Sequence, residues 1–158
     1  MKKLIPYLVL TSAVMVLVAS ASLPVAGQTP GKLAVFSDMA LFAGPKMPRN
    51  CFTMNRFKVG EPVGFRISVL DPAGQPAADA EVVVHLTYAG KTVDVPARYR
   101  GAGGNNPIPN LWSAKWAVPA DAPVGTVGVT ITAKDKSGRT GEFKPFPNPA
   151  GQLTIVTE

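Results

Sequence analysis

The feature that most restricts the fold of this chain is a two-residue alternation of apolar and polar side chains that begins after residue 60. In the first such run every second residue is apolar, namely Val63, Phe65, Ile67 and Val69. Further strand-like runs cover residues 82–88, 92–99, 112–118, 127–133 and 153–156. Because successive side chains of a strand point to opposite faces, this period predicts β-strands that each bury one face.

Turn-forming residues separate these runs, in a chain of 158 residues that contains 16 Pro and 15 Gly. Residues 71–74 (DPAG) suit a type I turn, and residues 134–139 with their Ser-Gly pair predict a hairpin. No capped stretch of helical period follows the N-terminal segment, so helices should be few and short. Six or seven short strands favour two sheets that cover each other's apolar face. A closed barrel is the competing architecture.

The N-terminal residues have the features of a secretory signal. Lys2 and Lys3 precede an apolar region over residues 4–18, and small residues follow at 19–21 and 25–27. We predict a signal peptide over residues 1–27, with cleavage after Ala21 as an alternative, and therefore a periplasmic or secreted protein without a stable membrane span after cleavage. The other interpretation is an uncleaved anchor, because residues 4–31 carry no charge and a spanning helix needs about 20 apolar residues.

The charge of the remaining chain is concentrated near its start. Removal of residues 1–27 takes away two of the 16 basic residues, so 14 basic against 10 acidic residues give a net charge of +4. Between residues 28 and 60 only Asp38 opposes five basic residues, which are Lys32, Lys46, Arg49, Arg56 and Lys58. We predict an extended basic N-terminal arm over residues 28–55. Its positive charge could simply be solvated, or it could contact an acidic protein or lipid headgroups. Nucleic acid is not an expected partner of an exported chain that has no binding motif.

The region after the arm resembles bacterial immunoglobulin-like and macroglobulin-type modules. The likeness rests on residues 57–63 (FKVGEPV), 69–76 (VLDPAGQP), 80–82 (AEV), 116–125 (WAVPADAPVG), 131–135 (ITAKD) and 138–139 (GR). It implies an all-β, immunoglobulin-like antiparallel β-sandwich of about seven strands over residues 56–158, with a non-catalytic adhesive, spacer or accessory role. The chain has one Cys, so the paired cysteines of antibody domains are missing and packing alone should hold the sheets.

Motifs for catalysis are missing from the sequence. It contains no Gly-x-Ser-x-Gly elbow, no His-Glu-x-x-His, no phosphate loop and no dinucleotide-binding glycine pattern. Four aspartates sit in or beside predicted turns, where their carboxylates bond the local backbone: Asp71, Asp79, Asp121 and Asp135. We therefore expect a protein that is not an enzyme and has no cofactor.

A sulfur-rich segment supplies one alternative function. Soft sulfur ligands bind Cu(I), so Met47, Cys51 and Met54 could serve a periplasmic Cu(I)-handling protein. A blue-copper centre needs two histidines, whereas His85 is the only one in the chain. The simpler expectation is that the methionines pack against the sandwich, that Cys51 is buried, and that His85 is a partly exposed sheet residue.

The loop over residues 100–110 supplies the candidate partner-binding residues. It is rich in Gly, Asn and Pro, and loops at the end of a sandwich present binding surfaces from a rigid scaffold. Arg and aromatic side chains flank it, which interfaces favour. The candidates are Arg98, Tyr99, Arg100, Asn105, Asn106 and Trp112.

The function predicted from these observations is that of an exported accessory or adapter module that binds another cell-envelope protein, for which a redox complex is one setting. A carbohydrate-binding module with exposed Trp112 or Trp116 is a further alternative. The alternation of the strand that holds both tryptophans places them inward, which disfavours a sugar platform. The oligomeric state is left open.

Overall fold

The computed structural model describes residues 31–101 and 110–157 of the chain. Within these ranges every regular element is a β-strand, and the strands are β1 (Ala34–Leu41), β2 (Arg56–Lys58), β3 (Pro62–Leu70), β4 (Glu81–Tyr88), β5 (Lys91–Pro96), β6 (Arg98–Tyr99), β7 (Trp112–Ala117), β8 (Gly125–Lys134), β9 (Thr140–Phe143) and β10 (Leu153–Val156). The predicted signal peptide lies outside the described residues. The described part contains no helix of the length and apolarity that a membrane span requires.

The strands form two sheets. The four-stranded sheet has the order β1-β3-β7-β6, and all its pairs are antiparallel. The six-stranded sheet has the order β2-β10-β8-β4-β5, and β9 also pairs with β8. The predicted all-β class is confirmed, and the two sheets share one core, as in a sandwich.

The core follows from the alternation that the sequence shows. In β3 the apolar positions Val63, Phe65, Ile67 and Val69 are fully buried, whereas the intervening Arg66 and Ser68 are only half-buried. The six-stranded sheet contributes residues such as Val84, Leu86 and Ile131 to the same apolar cluster. Each sheet thus removes one face from water by packing it against the other, which is the main favourable contribution to folding.

Part of the segment predicted as an extended arm is a strand of the four-stranded sheet. β1 pairs with β3 along its whole length, from Ala34 opposite Leu70 to Leu41 opposite Val63. The sequence of β1, AVFSDMAL, does not alternate regularly, which is why the period alone does not reveal it. Its buried side chains Val35 and Leu41 belong to the core cluster, so β1 is part of the packed sheet.

Two details differ from the antiparallel sandwich of about seven strands. The described residues contain ten strands, in part because the run over 92–99 divides into β5 and β6. β2 runs parallel to β10, which makes the six-stranded sheet mixed. A parallel pair requires a long connection, and the chain between β2 and β10 supplies one.

The division between β5 and β6 moves the chain from one sheet to the other. β5 pairs with β4 in the six-stranded sheet, whereas β6 pairs with β7 in the four-stranded sheet. At the junction the Ala97 N–H donates to the carbonyl oxygen of Val82 at 2.8 Å. This crossing places Arg98 and Tyr99 on the edge of the four-stranded sheet.

Two predicted turns are present with their aspartates in local roles. The N–H of Gly74 donates to the Asp71 carbonyl at 2.9 Å, and the Asp71 carboxylate accepts from the N–H groups of Ala73 and Gln75. Asp135, which is 4% exposed, accepts hydrogen bonds from the backbone N–H and the guanidinium of Arg139 in the β8–β9 turn. Burial raises the pKa of Asp135, but the hydrogen bonds and the charge of Arg139 outweigh it, so this pKa is lower than usual.

Candidate partner-binding groove

A groove of about 650 Å³ lies on the outer face of the four-stranded sheet. Its walls come from β3, β6 and β7 and from the loop between β1 and β2. The side chains that define it are Phe42, Cys51, Arg66, Arg98, Arg100 and Lys115, and we call this surface the basic groove. Four of these six side chains are cationic at neutral pH.

Strand register brings the cations of the basic groove together. Arg98 of β6 is opposite Ser113 of β7, and Ser113 is opposite Arg66 of β3. Lys115 lies two residues further along β7, and therefore on the same outer face. The N–H of Arg100 donates to the Leu111 carbonyl at 2.7 Å, which continues the β6–β7 pairing beyond the end of β6.

The ring of Phe42 packs over Gly64 and forms part of the lining of the basic groove. Gly64 of β3 is buried, because the ring of Phe42 lies where a side chain at Gly64 would project; a Cβ there would collide with that ring. The Phe42 N–H donates to the Pro62 carbonyl at 2.9 Å, so the backbone holds Phe42 against β3. The groove therefore combines an apolar surface with cationic sides.

The loop over residues 42–52 forms one wall of the basic groove. Hydrogen bonds close its base, where Leu41 donates to the Phe52 carbonyl at 2.9 Å and Cys51 donates to the Leu41 carbonyl at 2.7 Å. Two of the basic residues that the charge pattern singled out, Lys46 and Arg49, are exposed on this loop. They add positive charge beside the groove.

Cys51 is exposed, so the expectation that it is buried is wrong. It has a φ of 60° in the turn that closes the loop over residues 42–52. The apolar neighbours that suggested burial do not cover it, and Phe52 is itself 56% exposed.

Among the described residues, one cation of the groove is paired and two others form no salt bridge. The Arg66 guanidinium donates to both carboxylate oxygens of Asp38 and to the Thr53 hydroxyl. Its hydrogen bond with Asp38 raises the pKa of Arg66, so Arg66 remains charged. Within residues 31–101 and 110–157, neither Arg98 nor Lys115 forms a salt bridge. Their positive charge is available to a ligand.

The candidate partner-binding residues from the sequence separate into two groups. Arg98 and Arg100 point outward into the basic groove. Tyr99 and Trp112 point inward, with ring centroids 4.6 Å apart, and Trp112 is only 1% exposed. Trp112 is thus a core residue rather than a surface contact, because it occupies the buried set of alternate positions in β7. Asn105 and Asn106 lie outside the described residues.

The sulfur atoms of the copper alternative do not line a common cavity. Cys51 lines the basic groove, whereas Met54 lines a separate cavity of about 500 Å³ beside Phe65 and Ile131 of the core. Met47 is 55% exposed. Among the described residues, no cluster of three or more His, Cys, Asp or Glu side chains is placed to hold a metal ion.

A hydrogen-bonded chain of polar side chains crosses the outer face of the six-stranded sheet. His85 Nδ1 lies 2.7 Å from Asp94 Oδ1, and His85 Nε2 lies 2.9 Å from Thr132 Oγ1. This order resembles the acid, base and hydroxyl of hydrolases. The backbone around Thr132 pairs with β4 on one side and β9 on the other, so its N–H groups are engaged in the sheet rather than grouped around an oxyanion site. The three hydrogen-bonded side chains therefore form a polar contact across neighbouring strands. His85 is partly exposed, as expected.

Three groove residues were not predicted from the sequence: Phe42, Arg66 and Lys115. The alternation of β3 and β7 does place Arg66 and Lys115 on outward positions. It contains no information on which strands are neighbours, and Phe42 lies in a loop without any period. Register, which sets the groove, is a tertiary property.

Comparisons with known proteins add little to this description. No protein-family model matches the chain, and no curated protein matches it. A solved structure of a DUF4466 family protein from Parabacteroides merdae ATCC 43184 aligns with a TM-score of 0.39 and 15% sequence identity. The alignment covers 80% of this chain and 46% of that protein, so the chain spans less than half of its length. A likeness at this level carries no conclusion about fold family or function.

Proposed function

We propose that this protein is an exported, non-catalytic accessory module of the immunoglobulin-like class that binds another cell-envelope protein through the basic groove. The observation that carries the proposal is the groove itself, which combines cations on three neighbouring strands with an apolar lining on a rigid sheet. Arginine and aromatic side chains in a concave site are typical of protein-binding surfaces.

The arrangement of the chemically active side chains supports a non-catalytic role. The single imidazole of the chain is engaged with Asp94 and Thr132 on the surface of a sheet. The described aspartates of the two turns bond local backbone groups or Arg139. Among the described residues that line the basic groove there is no histidine or carboxylate to act as a general base, which suits the groove to binding.

The two alternative functions find less support in the geometry. The only two tryptophans of the chain, Trp112 and Trp116, are 1% and 7% exposed, so neither offers an open ring face to a sugar. The sulfur ligands of the copper alternative line different cavities. No single observation favours either function over protein binding.

The test is native mass spectrometry of the protein recovered from its own host after gentle detergent extraction. We expect a protein subunit to remain attached to the wild-type chain. A double variant, Arg98→Gln with Lys115→Gln, should release that subunit. The matched control, Lys134→Gln with Lys136→Gln, changes the net charge equally at exposed positions near the β8–β9 turn and should retain it.

All four substituted side chains are exposed, and surface changes alter the free energy of unfolding by about 0.5 kcal/mol or less, so both double variants should fold. Their folding is checked separately. A monomer without attached protein in every preparation contradicts the proposal. So does a subunit that stays attached to the double groove variant. A copper-sized mass increment that is lost when Cys51 is replaced would overturn it in favour of metal handling.

A further inference from the structure

We infer that the ligand of the basic groove is an extended acidic segment of the partner protein, with carboxylates at alternate positions; this inference rests on the proposed function. It specifies the chemistry of the contact. The spacing of the cations and the shape of the surface between them support it.

The cations of the groove are spaced like alternate residues of an extended chain. Arg98 is level with Ser113, and Lys115 is two residues further along β7, which is about 6.6 Å at a rise of about 3.3 Å per residue. Because β6 and β7 are antiparallel, Arg100 lies on the other side of the Arg98–Ser113 row, opposite Leu111. Arg100, Arg98 and Lys115 therefore span about 13 Å along the strand direction.

An extended peptide that lies along β6 and β7 has the same repeat. Its side chains at alternate positions point to one side and are separated by about 6.6 Å. Three carboxylates at the first, third and fifth positions of such a peptide can therefore meet Arg100, Arg98 and Lys115 in turn. A contiguous run of acidic residues directs half of its carboxylates away from the sheet.

The roles of the cations differ. Arg66 is already bonded to Asp38 and Thr53, so it is held in place beside the Arg98 row and adds little net charge. Arg98 and Lys115 form no salt bridge within the described ranges and supply the main attraction. Lys46 and Arg49, on the loop over residues 42–52, extend the positive electrostatic potential that an acidic segment meets as it approaches.

The shape of the site favours a peptide over a small anion or a lipid surface. A volume of about 650 Å³ lies within the range of sites for drug-sized ligands, and one inorganic anion would leave most of it unfilled. Phe42, Pro45 and Leu111 give the groove apolar surface that aliphatic parts of a peptide can cover. The cations line a concavity beside the loop over residues 42–52, which a flat membrane surface does not enter.

The test uses synthetic peptides and the protein purified from its host. The first peptide has nine residues, with three Glu at alternate positions in a Ser and Thr background. The second has the same composition with the three Glu adjacent, and the third has Gln in place of Glu. Binding is measured by isothermal titration calorimetry at low and at physiological salt.

A second readout locates the peptide. Cys51 is the only cysteine of the chain, is exposed, and lines the groove. A bound peptide should therefore slow the alkylation of Cys51 by iodoacetamide. The rate is measured with and without each peptide, and the denatured protein serves as the reference for full reactivity.

We expect the alternating Glu peptide to bind, to protect Cys51, and to weaken as salt rises, because exposed charges are screened beyond about 10 Å at 0.1 M ionic strength. The Arg98→Gln/Lys115→Gln variant should bind this peptide roughly tenfold more weakly, as the loss of two exposed ion pairs implies. The Lys134→Gln/Lys136→Gln control should bind it as the wild type does.

Several results would overturn the inference. Equal binding of the alternating and adjacent Glu peptides would show that the spacing is not recognised. Equal affinity for sodium sulfate would show a simple anion site, and groove-dependent binding to phosphatidylglycerol vesicles with no peptide binding would show a lipid surface. If the host subunit is released by the groove variant but no peptide binds, this inference fails while the proposed function stands. If the peptide binds as expected but no subunit is found in the host, the proposed function fails instead.

Discussion

Phe57 offers a direct test of how the sandwich is held together. It is the central residue of the three-residue strand β2 and is fully buried, and among the described strands only β10 pairs with β2. The neighbours Arg56 and Lys58 are exposed, so Phe57 is the side chain by which this strand contacts the core. Replacing Phe57 with Ala removes that contact and leaves a cavity.

The expected effect is large compared with the total stability. Phe→Ala at a fully buried site costs about 3–5 kcal/mol, because the transfer free energy of the ring and the cavity add. Domains of this kind have a free energy of unfolding of about 5–15 kcal/mol. With a urea m-value of about 2 kcal/mol per M, the midpoint of unfolding should fall by about 2 M. Trp112 and Trp116 are buried and report the transition by fluorescence.

Phe36→Ala is the matched control, since Phe36 is 56% exposed on β1. Its free energy of unfolding should change by no more than about 0.5 kcal/mol. If Phe57→Ala and Phe36→Ala lower the midpoint by similar small amounts, the burial of β2 against the core is refuted. A large loss in the Phe36 variant would equally refute the assignment of that ring to the surface.

Further predictions concern the buried carboxylate and the groove lining. Because the folded-state pKa of Asp135 is lowered, its contribution to stability is present above its ordinary value of about 4 and is lost as pH falls through the folded pKa. The difference in free energy of unfolding between the wild type and Asp135→Asn, measured by urea titration, should therefore be full at pH 6 and should shrink below pH 4; a difference independent of pH would contradict this. Gly64→Ala should displace Phe42 from β3 and cost about 1–3 kcal/mol, the usual range for overpacking. The same variant combined with Phe42→Ala should recover part of that loss, and a double variant no more stable than Gly64→Ala alone would show that Phe42 does not lie on the glycine.

The all-β class could be predicted from local pattern, whereas the strand β1 and the pairing of β2 could not. The strands with regular alternation, such as β3 and β8, lie close to their predicted positions, and the predicted turn at Asp71 is present. β1 was missed because Asp38 and its neighbours interrupt the period. The parallel pairing of β2 with β10 joins residues about a hundred positions apart, which no local signal encodes.

The candidate site was predicted in part. Arg98 and Arg100 were identified from their residue type and their place beside a loop, and both line the basic groove. Trp112 was chosen for the same reasons, but its position in the alternation of β7 makes it a core residue. Residue type thus selects candidates, while the face of the strand decides which of them can meet a partner.

Local sequence pattern is enough to predict the regularly alternating strands, several turns, the excess of basic residues and the inward direction of both tryptophans, because these depend on neighbouring residues and on the two-residue period of a strand. That Arg66, Arg98 and Lys115 share one groove, with Cys51 exposed beside them, is visible only in the folded protein. Register and sheet order follow from the packing of the whole core, because distant segments adopt the arrangement that buries their apolar faces together.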